Sequence, residues 1–137
     1  MTIPRKALHG TAVVAATFAL GHAQAHHSYA AFDQCTPVTL EGVIDSVEWV
    51  NPHIRIHLRT EDVASYFVEW FSLPQLQQSG IAPDTLKSGD QVVVTGNPMR
   101  DPNTKVLSLL TEIRRPSDGW SWARTRPRQR PEDCATN

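Results

Sequence analysis

The chain has 137 residues, of which 40% are hydrophobic and 20% are charged, so we expect one folded domain rather than a disordered chain or a bundle of membrane helices. The formal net charge of −1 is divided unevenly: residues 26–113 hold 5 Lys and Arg against 11 Asp and Glu, whereas residues 114–137 hold 6 Arg against 3 acids. An acidic folded part argues against a nucleic-acid-binding module, because phosphate binding needs a basic face.

Residues 1–25 have the three parts of a secretory signal peptide. Arg5 and Lys6 give a positive start, residues 11–20 are apolar, and a small-x-small motif ends at Ala25. The apolar stretch is too short to cross a bilayer core of ~30 Å as a helix, which counts against the alternative of an uncleaved membrane anchor. We therefore predict cleavage after Ala25 and a periplasmic mature protein that is not an integral membrane protein.

The first predicted strand follows an irregular lead-in and contains a change of side-chain parity. Its apolar residues occupy even positions up to Ile44 and odd positions from Val47 onward. Because successive side chains of a strand point to opposite faces, this change predicts a β-bulge near Asp45. A long strand bent in this way lets a sheet curl into a barrel.

Further strands and one helix complete the predicted domain. Asn51-Pro52 marks a turn, and Pro74–Gly80 fits a short helix that ends at its glycine. The further strands are expected at 53–59, 65–71, 91–95 and 105–113. The order β-β-β-α-β-β predicts an all-β fold with one short helix, a small five-stranded OB-like barrel. A five-stranded sandwich or roll is the alternative.

The hydrophobic pattern stops at the C-terminal end of the chain. Three prolines and six arginines among residues 114–137 predict an Arg/Pro-rich, mostly disordered tail. Trp120 and Trp122 are its expected anchors, and they either pack back on the barrel or touch a partner. The predicted organisation is therefore a signal peptide at 1–25, an OB-like domain at 26–113 and a tail at 114–137.

The chain has two cysteines, Cys35 and Cys134, near the two ends of the mature protein. Export would place them in an oxidising compartment, where disulfides persist. A bridge between them would close a loop of roughly 100 residues, for which chain entropy gives about 4–5 kcal/mol at most. The alternative is two free thiols in mobile segments.

Histidines at the predicted mature N-terminus indicate a metal site. Cleavage after Ala25 makes His26 the first residue, so its α-amine and ring Nδ1 can chelate one metal, and His27 or another histidine completes a three-nitrogen histidine brace. Nitrogen-rich tetragonal geometry favours Cu(II). Cleavage after Ala23 or Gln24 would place a histidine third, where amine, backbone amides and imidazole form a square-planar Cu(II) or Ni(II) site. Incidental affinity of exposed histidines is the alternative.

The strand after the Asn-Pro turn carries two more histidines. His53 and His57 share a face but stand four residues apart, so about 13 Å separates their Cα atoms. A regular strand cannot bring both to one metal. We favour His53 as the ligand that meets the N-terminus, because it lies at the mouth of a turn, and we expect His57 to be a surface strand residue. The alternative for His53 is a turn-capping hydrogen bond.

Four other residues are candidates for roles around the histidines. Tyr29 and Asp33 lie close to the histidine pair in sequence and would supply an axial ligand or a hydrogen bond to a ligating histidine, unless they belong to a solvated lead-in. Trp49 and Trp70 fall on strands, where a core position is the common outcome. If exposed near the histidines, they would form an aromatic wall for a small ligand.

Three segments together resemble one family: HHSYAAFD at 26–33, VTLEGV at 38–43 and WVNPH at 49–53. They are similar to a family of small exported proteobacterial proteins with a domain of unknown function, number 6152. Later matches lie at 68–70, 86–90 and 97–101, so the resemblance covers residues 26–113. Tyr29 stands where the family usually has Phe, and the cysteines are not part of the pattern. The family has no established activity, but the resemblance implies a shared site at His26, His27 and His53.

We therefore expect an exported, periplasmic protein that binds copper through His26, with His27 or His53 completing the ligand set. Storage, transfer or sensing fits better than catalysis, because no nucleophile elbow, phosphate loop or substrate groove is evident in the sequence. One alternative is a non-metal binding module that holds a peptide or cell-envelope partner with Trp49, Trp70 and the His53 turn. A small copper-dependent oxidase is the third interpretation.

Overall fold

The computed structural model describes residues 29–62, 64–129 and 131–135, and these residues are mostly β. The predicted signal peptide, His26 and His27 lie outside the described residues. Short 3-10 helices occupy Tyr29–Ala31 and Glu132–Ala135. The remaining elements are β1 (Val38–Glu48), β2 (Arg55–Thr60), β3 (Ser65–Glu69), α1 (Leu73–Gln78), β4 (Gln91–Pro98), β5 (Val106–Arg115) and β6 (Trp120–Ala123).

Five strands close into a barrel, as the element order predicted. The strands are hydrogen-bonded in the order β3-β2-β1-β4-β5, and β3 also pairs in parallel with β5, which completes the ring. All other pairs are antiparallel, and α1 connects β3 to β4. This confirms the five-stranded OB-like barrel and excludes the open sandwich. Within the described residues, no helix has the length and apolar character to cross a membrane.

The bulge predicted near Asp45 is present in β1. Ile44 pairs with Leu58 and Ser46 with His57, so one extra residue of β1 faces the neighbouring strand. Just before the bulge, Gly42 lies against β2 so closely that a Cβ atom would stand 2.5 Å from the carbonyl oxygen of Arg59. Only glycine fits there without a backbone shift, and the bulge then allows β1 to bend around the barrel.

The barrel interior holds one apolar core. Alternating residues of the strands point inward, and α1 closes the core with Leu76. The twelve largest side chains with almost no exposure are Ile44, Ile54, Ile56, Leu58, Leu76, Leu86, Leu107, Leu110, Ile113, Val68, Val92 and Val94. Their burial is the main stabilising contribution, at about 25 cal/mol per Å² of apolar surface.

The barrel sheet extends beyond the boundary placed after Ile113. β5 continues to Arg115, and a tight turn leads into β6, which pairs with β5 and buries Trp122 among the core residues. Sequence patterns assigned these residues to a disordered tail, because arginine and proline dominate the composition there. Trp122 is 8% exposed and packs edge-on against Trp70, so of the two arrangements proposed for this anchor the structure has it packed on the barrel.

The last described segment is bound to the beginning of the domain. Cys35 and Cys134 form a disulfide across 99 residues of sequence, as predicted. The guanidinium of Arg128 donates hydrogen bonds to the side chains of Gln34 and Asn97. The C-terminal segment therefore runs beside the lead-in that precedes β1.

Candidate functional site

A cleft of about 360 Å³ opens beside the barrel where segments distant in sequence meet. Its walls come from the lead-in at 29–32, the end of β3 at 69–71, the first half of β5 at 106–110 and the segment after β6. His53 also lines this cleft. No single segment forms this cleft, so no sequence pattern predicted it.

The lead-in is held firmly at the rim of this cleft. The amide of Asp33 donates to the carbonyl of Pro98 at 2.8 Å, and the amide of Arg100 donates to the carbonyl of Ala31 at 2.9 Å. Phe32 is buried between these hydrogen bonds and forms a β-bridge with the residue after Pro98. These contacts fix Tyr29, the first described residue, at the cleft.

His53 lies between the cis Asn51–Pro52 peptide bond and the start of β2. Its neighbour Ile54 exchanges two backbone hydrogen bonds with the segment after β3, at 2.8 and 3.1 Å. The Nδ1 atom of His53 lies 3.2 Å from the carbonyl oxygen of Trp70. A carbonyl only accepts, so Nδ1 is the donor in this hydrogen bond and Nε2 is the second nitrogen of the ring. The turn-capping alternative is thus partly realised, by a hydrogen bond that also sets the tautomer.

His57 lies apart from the cleft, on the outer face of β2. Its Nε2 atom is 2.6 Å from Oε1 of Glu48, and Arg55 approaches the same carboxylate at 3.5 Å. The ring also packs against Phe67 at a centroid distance of 4.6 Å. The structure therefore agrees with the expectation that His57 is a surface strand residue and separates it from His53.

Trp70 forms the aromatic floor where the cleft meets the core. It is 3% exposed and packs against Trp122 at a centroid distance of 5.2 Å, while Trp49 lies 6.5 Å away and is half-buried. The indole N–H of Trp70 is buried and finds no acceptor among the described residues. An unpaired buried donor costs about 1–3 kcal/mol of stability.

Tyr29 and Asp33 were both proposed to contact the metal or its histidine ligands. Of the two, only Tyr29 lies at the cleft. The Asp33 carboxylate accepts hydrogen bonds from the amides of Cys35 and Thr36, at 3.0 and 3.2 Å. The amide of Cys35 is the main cause that lowers the pKa of Asp33, so its carboxylate stays charged and shapes the turn. Tyr29 is exposed at the rim, with the guanidinium of Arg128 5.7 Å from its ring centroid.

Two arginines of the C-terminal segment line the cleft, and sequence analysis missed both. Arg124 lies over the ring of Phe71 at 5.3 Å, and Arg128 lies over Tyr29. Burial lowers the pKa of the Arg128 guanidinium, and the nearby charge of Arg124 lowers it further. Their spacing in an arginine run is typical of a solvated tail, so no sequence signal distinguished them from exposed Arg126.

The described residues alone do not form a metal centre. Among them, no group of three or more His, Cys, Asp or Glu side chains is arranged to hold a metal ion. Of the predicted ligands, His53 lies in the cleft, whereas His26 and His27 lie outside the described residues. The described part of the chain thus contributes one imidazole to the predicted ligand set.

The chain belongs to a family of unknown function (DUF6152), whose model matches residues 13–108. This confirms the resemblance drawn from the three motifs. No curated protein and no solved structure matches the chain. The family contributes no activity, so function must be argued from the cleft itself.

Proposed function

We propose that this protein is exported to the periplasm and binds copper at the rim of the cleft, through the mature N-terminal His26, with His53 or His27 completing the ligand set. One observation carries the proposal: Tyr29, two residues after His27, and His53 line the same cleft. Extended chain spans at most about 3.6 Å per residue, so His27 is tethered within about 7 Å of Tyr29 and His26 within about 11 Å. The histidine pair is therefore tethered near the cleft that His53 lines.

The hydrogen bond of His53 supports a ligand role. Metal-bound histidines commonly donate their second ring N–H to a carbonyl or carboxylate, which fixes the ring and its tautomer. His53 has such a bond from Nδ1 to the carbonyl of Trp70, at 3.2 Å. Nε2 is thus the coordinating atom in the proposed site, and the α-amine and ring of His26 supply the remaining nitrogen donors.

The disulfide supports the proposed export. Disulfides persist in oxidising compartments such as the periplasm and are rare in the cytosol. Cys35 and Cys134 are joined, and the link holds the C-terminal segment beside the lead-in that follows the histidine pair. Export also brings the cleavage after Ala25 that frees the α-amine of His26 for a histidine brace.

Copper storage, transfer or sensing remains the activity that we propose, rather than catalysis. The described lining of the cleft contains no nucleophile paired with a base, which argues against hydrolytic catalysis there. A small copper-dependent oxidase needs no such pair and stays the third candidate. The alternative of a peptide platform built on Trp70 is disfavoured, because that ring is 3% exposed.

The test begins with the intact mass of the exported protein, which we expect to start at His26. Cu(II) is then titrated into this material, into a His53→Ala variant and into a synthetic His-His-Ser peptide. We expect tighter binding by the protein than by the peptide. His53→Ala should weaken binding at least about tenfold, which corresponds to about 1.4 kcal/mol.

His57→Ala is the matched control, because His57 lies on the same strand but contacts Glu48 outside the cleft. Its copper affinity should equal that of the unmodified protein. An affinity equal to that of the peptide and indifferent to His53 would show that copper binding is incidental. A mass that places the N-terminus away from the histidine pair would remove the brace.

A further inference from the structure

We propose that the cleft is also a binding site for a small organic carboxylate with an apolar body, held by Arg124 and Arg128. This inference does not depend on copper, since neither arginine is a proposed metal ligand. It is based on the charge, the hydrogen-bonding groups and the shape of the cleft.

The first observation is the pair of guanidinium groups. Arg124 and Arg128 are both half-buried in the cleft, and neither forms an ion pair with a carboxylate in the described part of the chain. The cleft also contains one carboxylate, Glu69, so its described lining carries two positive charges against one negative. An anion between the arginines would relieve their mutual repulsion.

The second observation is the hydrogen-bonding capacity of these groups. An arginine has five N–H donors. Arg128 uses two nitrogens for Gln34 and Asn97, whereas the side chain of Arg124 donates no hydrogen bond within the described residues. The cleft therefore offers donors in excess, which is the complement of a carboxylate.

The third observation is the apolar character of the remaining walls. Phe32, Phe71, Leu109 and Leu110 contribute rings and aliphatic chains, and the cleft volume of about 360 Å³ is within the range of small-molecule sites. Rings also lie beneath both guanidinium groups, which orients their planes. Leu109 has a φ of 56°, a left-handed conformation that is strained for this residue and is found often at binding sites.

Carboxylate is the ligand chemistry that these observations favour. Guanidinium groups bind carboxylates through two parallel hydrogen bonds. Mostly apolar walls favour a ligand that is charged at one end only. The rest of the barrel is acidic, whereas the cleft holds two arginines of the C-terminal segment. An anion is therefore attracted to the cleft rather than to the outer face of the barrel.

The experiment uses copper-free protein and benzoate as the probe, with benzamide as its uncharged analogue. Binding is measured by calorimetry, and the indole N–H resonance of Trp70, assigned with a Trp70→Phe variant, is followed by NMR. We expect benzoate to bind at least about tenfold more tightly than benzamide and to move the Trp70 resonance.

Arginine variants test the charge argument. Arg124→Gln and Arg128→Gln should each lower benzoate affinity at least about tenfold. Arg128 also contacts Gln34 and Asn97, so its replacement could loosen the C-terminal segment, and Arg124→Gln tests the charge without that effect. Arg126→Gln is the matched control, because Arg126 is exposed and lies outside the cleft. Its affinity should be unchanged.

Four outcomes would overturn the inference: no benzoate binding, equal affinity for benzoate and benzamide, an Arg126→Gln effect as large as that of Arg128→Gln, or a Trp70 resonance that stays in place at saturation. Tighter binding of inorganic phosphate than of benzoate would also overturn it, in favour of a phosphate site. Because the protein is copper-free, none of these results bears on the proposed copper site.

Discussion

Removing the Cys35–Cys134 disulfide should cost this protein a large share of its stability. The bond spans 99 residues of sequence, and the chain-entropy model assigns a loop of about 100 residues about 4.7 kcal/mol at 25 °C. The full effect requires that the linked ends are held in the folded state without the bond. The contacts of Arg128 with Gln34 and Asn97 provide this, so we expect a loss of about 3–5 kcal/mol from the free energy of unfolding.

The assay is urea unfolding of the oxidised protein and of a Cys35→Ala/Cys134→Ala variant, followed by tryptophan fluorescence. Because domains are typically stable by about 5–15 kcal/mol, the shift in midpoint will be large and easily measured. Adding a reductant to the variant should change nothing, which controls for other effects of the reductant. A difference below about 1 kcal/mol would refute the idea that the cross-link acts by constraining the unfolded chain.

Two further predictions concern the sixth strand and the lead-in. Trp122→Ala should lower the free energy of unfolding by about 3–5 kcal/mol, because the ring is 8% exposed and packs on Trp70. Trp120→Ala should cost less, because Trp120 is only half-buried, and equal losses of stability in urea unfolding would contradict this. The pKa of Asp33 is lowered in the folded state below its usual 3.8, so its contribution to stability is present above that value and is lost as the pH falls through the folded pKa. Asp33→Asn should therefore make the urea midpoint less sensitive to acid below about pH 4, and an unchanged pH dependence would count against this role.

The barrel could be predicted because each of its strands carries a local signal. The parity change between Ile44 and Val47 marked the bulge, and the structure has the register shift there. The helix was predicted at 74–80 and lies at Leu73–Gln78, between the third and fourth strands as expected. Strand alternation and turn residues are local properties, so one sequence is enough to read them.

The extent of the barrel sheet was not predictable in the same way. β4 continues to Pro98, although Asn97-Pro98 is typical of a loop, because these two residues pair with Ser108 and Leu107 of β5 after a register shift. The burial of Trp122 depends on Trp70 and Phe71, which come from the far side of the sequence. The residues around Trp122 are rich in arginine and proline, and this composition predicted disorder. β6 has only four residues, which is too short to show the alternating pattern of a strand.

The cleft could not be predicted from the sequence either, because segments far apart in the chain form it. Its positive charge comes from the arginine-rich C-terminal residues. Residues 114–137 carry the excess of arginine, and a reading along the chain treats them as a solvated tail. β6 and the disulfide instead hold this segment beside the lead-in, so that Arg124 and Arg128 become half-buried in a wall of the cleft. Both parts of the chain therefore form the cleft: the barrel supplies Trp70 and His53, and the C-terminal segment supplies the positive charge. A protein cut after Ile113 would lose Trp122 from the core and both arginines from the cleft. Such a truncation would lower stability and ligand binding at once, so single substitutions are needed to measure each effect.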